Sequence, residues 1–280
     1  MAASMAVLTL MDTFAKLLMQ TYDPVQVIWA RYTCQSLVVV VWFLPRLRTL
    51  LKTRHILLQL IRSAFLFGAT FSFFSALAHI ELAEAAAIFD INPLIITVLA
   101  YFFLKERVGL RRMLGVVIGL IGALIIIRPG SSVFSPYAVL PAIAACCLAG
   151  YVITTRFLGR DENILTSLLY STLIGTIAAS FMVGSAWNTP SPSGVTMMMM
   201  LGVLGASGQF LLIRAFTLAE AAAVAPFSYV GLLFAVLYGY LFFSELPDAI
   251  TIFGALVIVG SGLYVWHRER QADRGHKAKR

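Results

Sequence analysis

The chain has 280 residues, of which 60% are hydrophobic and only 12% are charged, and its mean hydropathy is +0.89. About a quarter of the residues in a soluble domain are charged, so a chain this poor in charge could not cover a surface that faces water. In a bilayer, apolar side chains can face lipid while the backbone satisfies its own hydrogen bonds. Because the roughly ten-residue alternation of a membrane barrel is absent, the composition predicts an all-α membrane protein.

Ten apolar stretches can cross a membrane, since one span needs roughly twenty mostly apolar residues. The first is interpreted as a span and not as a signal peptide, because it lacks a basic leader and is interrupted by Asp12 and Lys16. The two shortest polar breaks, at 81–84 and 218–220, are interpreted as loops, because merging the apolar stretches on either side would give a run too long for one span. The predicted spans are about 2–20, 25–44, 61–80, 83–104, 110–127, 137–155, 163–184, 195–217, 220–243 and 248–266.

The basic residues lie on one side of this predicted bundle. With the N-terminus in the cytoplasm, all of the 21 Lys and Arg residues except Lys16, Arg31 and Arg128 fall in or beside cytoplasmic loops or in the tail. This asymmetry is typical of membrane orientation. It predicts an even number of helices with the N- and C-termini cytoplasmic, and it explains the net charge of +8 without a nucleic-acid partner.

The chain also repeats itself. Leu-Ala-Glu-Ala-Ala-Ala occurs at residues 82–87 and again at residues 218–223. Each copy is followed by a proline-containing span, an aromatic turn ending in Glu106 or Glu245, and a glycine-containing span. Five is an odd number of helices, so the second half must be inverted, as is typical of transporters. The predicted division is a first five-helix repeat at 1–130, a second, inverted repeat at 131–267 and a basic cytoplasmic tail at 268–280.

These repeated features are similar to those of one known family. The alanine-rich block, the proline helix, the aromatic-Glu turn and the glycine-rich fifth helix resemble the EamA repeat of the drug/metabolite transporter superfamily. Asp12-x-x-x-Lys16 and Arg31-Tyr32 also look like its bacterial branch, which includes YddG-type amino-acid exporters and importers of S-adenosylmethionine or riboflavin. The resemblance implies a bundle in a bacterial inner membrane, with a central cavity lined mainly by helices 1, 3, 4, 6, 8 and 9.

Polar side chains inside spans are costly and usually face the bundle interior or water. On helix 1, Asp12 and Lys16 share a face, and on helix 3 Ser72, Ser75 and His79 do. Asp12 and Lys16 are four residues apart, so mutual neutralisation is as good an interpretation as cavity lining or proton coupling. His79 could bind a ligand, act in gating or sense protons, because an imidazole group ordinarily changes charge near neutral pH, or it could lie at the interface.

Helices 4 and 8 carry further polar positions. Asp90 has no basic neighbour in its own helix and must pair, protonate or contact water. Its counterpart in the second repeat is Pro226, so symmetry does not reproduce it. The tyrosines would suit planar or apolar solutes, although core and lipid-facing roles explain most rings. The candidate cavity residues are Asp12, Lys16, Ser72, Ser75, His79, Asp90, Asn92, Tyr101, Tyr151, Gln209, Arg214 and Tyr229.

No Walker-type loop, hydrolase motif or metal-ligand spacing occurs in the sequence. The sequence therefore predicts no enzyme activity, cofactor or metal, and a monomer or homodimer whose partners are a small-molecule substrate and the bilayer. The leading hypothesis is a secondary transporter that works by alternating access and exports amino acids, aromatic or hydrophobic ones included, or related metabolites. The alternatives are an importer of a nucleoside- or flavin-like solute such as S-adenosylmethionine or riboflavin, an integral-membrane enzyme, and a channel.

Overall fold

The computed structural model of the protein describes residues 1–104, 110–130, 134–158, 162–218 and 229–277. Every regular element within these ranges is helical. Seven helices are long and apolar enough to cross a membrane, and three shorter apolar helices accompany them at Met113–Ile127, Val230–Phe243 and Ala249–Tyr264. Together they coincide with the ten predicted spans, which confirms the all-α fold class.

The helices are numbered in chain order. The first half contains α1 (Ala2–Met19), α2 (Pro24–Phe43), the short α3 (Leu47–Leu50), α4 (Ile56–Leu77), α5 (Leu82–Phe89), α6 (Asn92–Leu104) and α7 (Leu110–Ile127). The second half contains α8 (Leu140–Leu158), α9 (Ile164–Met182), α10 (Pro192–Leu218), α11 (Val230–Tyr238) and α12 (Ala249–Lys277). Short 3-10 turns lie at Leu44–Arg46, Pro136–Val139 and Val183–Ala186, and a π-helical turn follows α11 at Gly239–Phe243.

Local sequence signals determine where several helices begin. The Asp23 carboxylate accepts a hydrogen bond from the Val25 N–H at 2.8 Å, and Pro24 occupies the first position of α2. The Asn163 side chain accepts from the Leu165 N–H at 2.9 Å at the start of α9. Such side chains satisfy N–H groups that have no partner inside the helix, and proline is tolerated at the first position because it has no N–H to satisfy.

The fourth predicted span, 83–104, is broken into two helices. Pro93 has no N–H, so it cannot donate to the carbonyl of Phe89, which an unbroken helix would require. α5 accordingly ends at Phe89 and α6 begins at Asn92, with Asp90 lying in the break. A carboxylate is thereby placed beside irregular backbone inside the bundle.

The pattern of contacts between helices stays the same when each helix is replaced by its counterpart in the other half of the chain. α4 packs on α8 as α10 packs on α1, and α6 packs on α8 as α11 packs on α1. The contacts between α2 and α9, and between α7 and α12, map onto themselves. This is the pattern expected of two inverted five-helix repeats. The division of the chain after residue 130 stays a prediction.

Glycines allow α7 and α12 to approach closely. A Cβ added at Gly122 would lie 3.0 Å from the carbonyl oxygen of Gly254, and one added at Gly254 would lie 2.9 Å from that of Gly122. Any larger residue would push the backbones apart. Small residues serve this purpose at many helix contacts in membranes, where close van der Waals packing drives association.

Candidate functional site

A buried arginine lies near the centre of the bundle. Arg31 of α2 is 6% exposed, and its guanidinium carbon lies 5.2 Å from the ring centroids of both Tyr32 and Phe74. One terminal nitrogen donates a hydrogen bond to the Thr70 hydroxyl, and Nε is buried without a partner. Asp12 of α1 is half-buried and close enough to interact electrostatically with Arg31. An acidic and a basic side chain from two helices are therefore brought together in the interior.

Polar side chains continue from this charged group along α2. The Tyr32 hydroxyl donates to Thr70 at 2.9 Å. The Gln35 amide donates to the Gln209 side-chain oxygen of α10 at 3.2 Å, and both glutamines are buried. Gln209 is one of the predicted cavity residues, and its partner is a side chain that sequence reasoning did not single out. The pair places hydrogen-bonding groups between α2 and α10.

Aromatic rings line the neighbouring face of α4. The Tyr32 ring centroid lies 5.7 Å from that of Phe67, which in turn lies 6.2 Å from Phe71. These distances are typical of interacting aromatic pairs. Ser72 and Ser75 on the same helix are half-buried. The charged group is thus bordered by aromatic surface on one side.

Lys16 forms the main contact at one end of the bundle. Its ammonium group donates to both carboxylate oxygens of Glu245, at 2.7 and 2.8 Å, and to the carbonyl of Ile80 at 2.9 Å. Glu245 also accepts from the Leu82 N–H at 3.2 Å. This end, opposite the predicted cytoplasmic loops, is called the outer end. Lys16 pairs across the bundle with Glu245 and not with Asp12, so the i, i+4 pairing weighed from the sequence is not what the structure contains.

Two further contacts join loops at the outer end. Arg128 donates to both oxygens of Asp248, at 2.6 and 2.5 Å. Hydrogen bonds from Arg128 and Thr251 lower the pKa of the Asp248 carboxyl to about 2. His79 is exposed and stacks on Tyr137, with ring centroids 3.5 Å apart. The predicted role of His79 in binding or gating stays a prediction, and its observed contact lies at this end.

A second buried arginine occupies the opposite, inner end. Arg62 is 1% exposed, and it donates to the Tyr151 hydroxyl at 2.5 Å, to Thr155 at 2.7 Å and to the carbonyl of Ser167 at 2.9 Å. These bonds tie α4 to α8 and α9. The sequence counts Arg62 with a cytoplasmic loop, and only its position at the start of the predicted span 61–80 could have indicated that it is buried. Tyr151, predicted as a cavity residue, is a partner of this arginine.

A third polar cluster lies at the break between α5 and α6. Asp90 is 8% exposed and Tyr229 is 7% exposed, and Asp90 acts electrostatically on Tyr229. The Asp90 Oδ2 and the Tyr229 hydroxyl are both buried without a hydrogen-bond partner. Asn92 donates to the carbonyl of Ala145 at 2.7 Å, which attaches the break to α8.

The predicted cavity residues therefore fall into separate groups by depth and not into one site. Arg214 is exposed on α10, and Tyr101 lies in α6 with its side chain outside the described part of the chain. No group of three or more His, Cys, Asp or Glu side chains able to hold a metal ion occurs among the described residues. That all twelve residues face substrate stays a prediction.

Comparison with known proteins places this architecture in a family. The EamA-like transporter family matches residues 1–128 and 136–266. A solved crystal structure superposes with a TM-score of 0.65 at 20% identity, covering 96% of this chain and 98% of its own. At that identity, the superposition shows a shared fold only.

Three similar proteins carry functional names. An S-adenosylmethionine uptake transporter of Rickettsia felis is 28% identical over 272 residues, covering 96% of this chain and 92% of the relative. A riboflavin transporter of Brucella anthropi is 29% identical over 230 residues, covering 80% and 81%. The pseudopaline exporter CntI of Pseudomonas aeruginosa is 32% identical over 189 residues, covering 67% and 66%.

These names describe transporters of different metabolites, and none of the three is named as an amino-acid exporter. They agree in being transporters, as the inverted helix packing described above also indicates. The chain belongs to the EamA-like transporter family and is a multi-pass membrane transporter of small metabolites, not an enzyme.

Proposed function

We propose that this transporter takes up a zwitterionic metabolite with a planar ring, of the S-adenosylmethionine class, by alternating access. The observation that carries the proposal is the pair of opposite interior charges, Asp12 and Arg31, bordered by aromatic rings. This function is the alternative weighed from the sequence, and the site chemistry favours it over export of free amino acids as the first candidate.

Arg31 supplies the anion-binding half of such a site. A guanidinium has five N–H donors in a planar fork, and of these only the bond to Thr70 and the ring contacts are made within the described residues. A substrate carboxylate can accept two parallel hydrogen bonds from this fork, which is the strongest arrangement for this pair of groups. The unpartnered Nε is one donor available for that purpose.

Asp12 and the rings supply the other half. A carboxylate attracts the ammonium group of an amino-acid moiety or the positive sulfonium of S-adenosylmethionine. The faces of Tyr32, Phe67 and Phe71 offer both stacking surface for a planar base and cation–π attraction for a sulfonium. A neutral planar solute such as riboflavin would use the rings but would gain little from either the Arg31 guanidinium or the Asp12 carboxylate.

The test is uptake of radiolabelled S-adenosylmethionine into proteoliposomes containing the purified protein. We expect saturable uptake that excess unlabelled substrate abolishes, and Arg31→Gln should raise KM roughly ten- to hundredfold, as expected for losing a charged hydrogen bond. Arg48→Gln is the matched control, because Arg48 is exposed on α3. Uptake of riboflavin alone, or an Arg31→Gln variant with unchanged KM, would contradict the proposal.

Export of amino acids is the second candidate, because the same two charges fit the ammonium and carboxylate of a free amino acid. Competition separates the two. If the planar base contributes to binding, adenosine competes with labelled S-adenosylmethionine and methionine competes weakly. If amino acids are the true substrates, tryptophan or methionine competes strongly and is itself released from preloaded vesicles.

A further inference from the structure

Asp90 is separate from the proposed substrate group. Its neighbours are the α5–α6 break and Tyr229, whereas Arg31 contacts α2 and α4. It is 8% exposed, and its Oδ2 accepts no hydrogen bond. Within the described part of the chain, the ion pairs are formed by other carboxylates, Glu245 and Asp248. A buried carboxylate without a counter-charge is costly, and inside a membrane it usually marks an ion or proton pathway.

The position of Asp90 in the break leaves its carboxylate available. A carboxylate just before a helix ordinarily caps it by accepting from the first N–H groups. Here the N–H of Leu94 donates instead to the backbone carbonyl of Ile91 at 3.0 Å, as does that of Ile95 at 3.1 Å. The C-terminal end of α5 adds the negative end of a helix dipole. Broken helices of this kind supply coupling-ion sites in secondary transporters.

Tyr229 provides a hydroxyl beside this carboxylate. Its oxygen is buried without a partner and lies against Gly262 of α12, where an added Cβ would collide with it. Glycine at position 262 therefore leaves room for the hydroxyl. Two unpartnered oxygen atoms, one acidic and one hydroxylic, are thus buried close enough to interact electrostatically.

Other titratable groups on the elements around α5 are engaged elsewhere or act on other residues. His79 beyond α4 stacks on Tyr137 of the 3-10 turn, and Arg128 beyond α7 bonds to Asp248 before α12. Of the two thiols of α8, Cys146 acts electrostatically on Cys147. The titratable groups of these segments include His79, Glu81, Glu84, Arg128, Tyr137, Cys146, Cys147, Tyr229 and Asp248.

We propose that Asp90 is the proton-binding residue that couples solute movement to the proton gradient, with the unpartnered Tyr229 hydroxyl nearby. In one orientation the carboxylate accepts a proton and becomes a neutral acid. In the other it releases that proton, which restores the carboxylate. A proton needs one carboxylate and one partner, whereas Na⁺ needs a shell of several oxygen ligands. This inference rests on the transport activity but not on the identity of the solute.

The test uses Asp90→Asn, because the carboxamide resembles the protonated acid in shape and charge. In proteoliposomes with an inward proton gradient, we expect it to lose at least tenfold of the gradient-driven accumulation while keeping exchange of labelled for unlabelled solute within about twofold at equal pH. Gly262→Ala should displace the Tyr229 hydroxyl and reduce accumulation without removing a charge. Glu84→Gln on α5 is the matched control and should accumulate solute as the wild type does.

A second measurement is independent of any solute. Infrared difference spectra of the purified protein, recorded across a pH titration, should contain a carboxylic-acid C=O band that Asp90→Asn removes and Glu84→Gln retains. The proposal would be overturned if Asp90→Asn retained proton-driven accumulation or retained the infrared band. It would also be overturned if Na⁺ alone drove accumulation. If S-adenosylmethionine is not carried but another solute is, the same assays with that solute still decide it.

Discussion

Lys16 and Glu245 connect the outer ends of α1, α4 and α11, so breaking their ion pair should open this end of the protein. Glu245→Gln is the smallest such change, because it removes the charge and keeps the shape. The ammonium of Lys16 would then retain only the Ile80 carbonyl as a full-strength partner. We expect the conformational equilibrium to shift toward an outward-open state.

The size of the shift follows from the contacts. Glu245 accepts three hydrogen bonds, two from Lys16 and one from the Leu82 N–H. The side chains are 11% and 24% exposed, so the pair lies between a surface salt bridge, worth up to about 1 kcal/mol, and buried charged hydrogen bonds at about 1.5–3 kcal/mol each. A net value of about 2 kcal/mol corresponds to roughly a thirtyfold change in the equilibrium constant.

The assay is the accessibility of a single cysteine placed at a predicted cavity position on α4. Ser75→Cys is introduced into a protein whose native Cys34, Cys146 and Cys147 have been replaced, and a membrane-impermeant maleimide is added from outside. The labelling rate is expected to rise up to about thirtyfold with Glu245→Gln, in proportion to the outward-open fraction. Lys16→Gln should have a similar effect, and the double variant should add little to either single variant.

A control separates opening from general loosening. Thr189→Cys lies on an exposed outer loop and should be labelled at the same rate with or without Glu245→Gln. Equal labelling of Ser75→Cys in the two backgrounds would refute the assignment of the pair as an outer closure. Additive effects of the two single substitutions would show that Lys16 and Glu245 act independently.

Three further predictions concern stability. Hydrogen bonds from Arg128 lower the pKa of the Asp248 carboxyl to about 2. The stability that Asp248 contributes to the folded state is therefore complete above the ordinary carboxyl pKa of about 3.9, and it is lost as pH falls toward 2. The melting temperatures of the wild type and of Asp248→Asn should differ at neutral pH and converge at about pH 2. Arg62→Lys should destabilise the detergent-solubilised protein by about 2–3 kcal/mol, because lysine cannot reach all of the acceptors and leaves buried groups unpaired; an unchanged thermal melt would contradict this. Gln209→Leu should cost about 1–2 kcal/mol by leaving the Gln35 amide unpaired, and Gln35→Leu/Gln209→Leu should recover part of that loss.

Much of the fold could be predicted from local sequence. Span length and polarity locate all ten apolar helices, because each span must satisfy its own backbone and exclude charge independently of the others. The repeated block at 82–87 and 218–223 predicts two equivalent halves, and the helix contacts have the exchange symmetry expected of such halves. The fourth span is the exception. Its proline indicated a break, but hydropathy cannot show that α5 ends at Phe89, because apolar residues continue on both sides.

The candidate site was less predictable because its contacts are long-range. A helical pattern shows that Asp12 and Lys16 share a face, but the partner of Lys16 is 229 residues away along the chain. The sequence alone interprets Arg62 as an orientation signal and Arg31 as part of a family resemblance. Hydropathy cannot do better, because it treats every arginine in the same way whether or not the side chain is buried. Which side chain meets which is decided by packing between helices, and no periodicity within one helix encodes it.

The helix packing and the polar contacts together suggest how the transport cycle is biased. A scaffold whose contacts survive exchange of its halves can adopt two conformations of similar free energy. The Lys16–Glu245 pair, at about 2 kcal/mol, stabilises the state that is closed at the outer end, because the pair must break when that end opens. A ligand can shift such an equilibrium only by its difference in affinity for the two states. A substrate that enters from outside must therefore bind the outward-open state more tightly by a comparable amount, and the charges of Asp12 and Arg31 are the groups in the described interior best able to supply that difference.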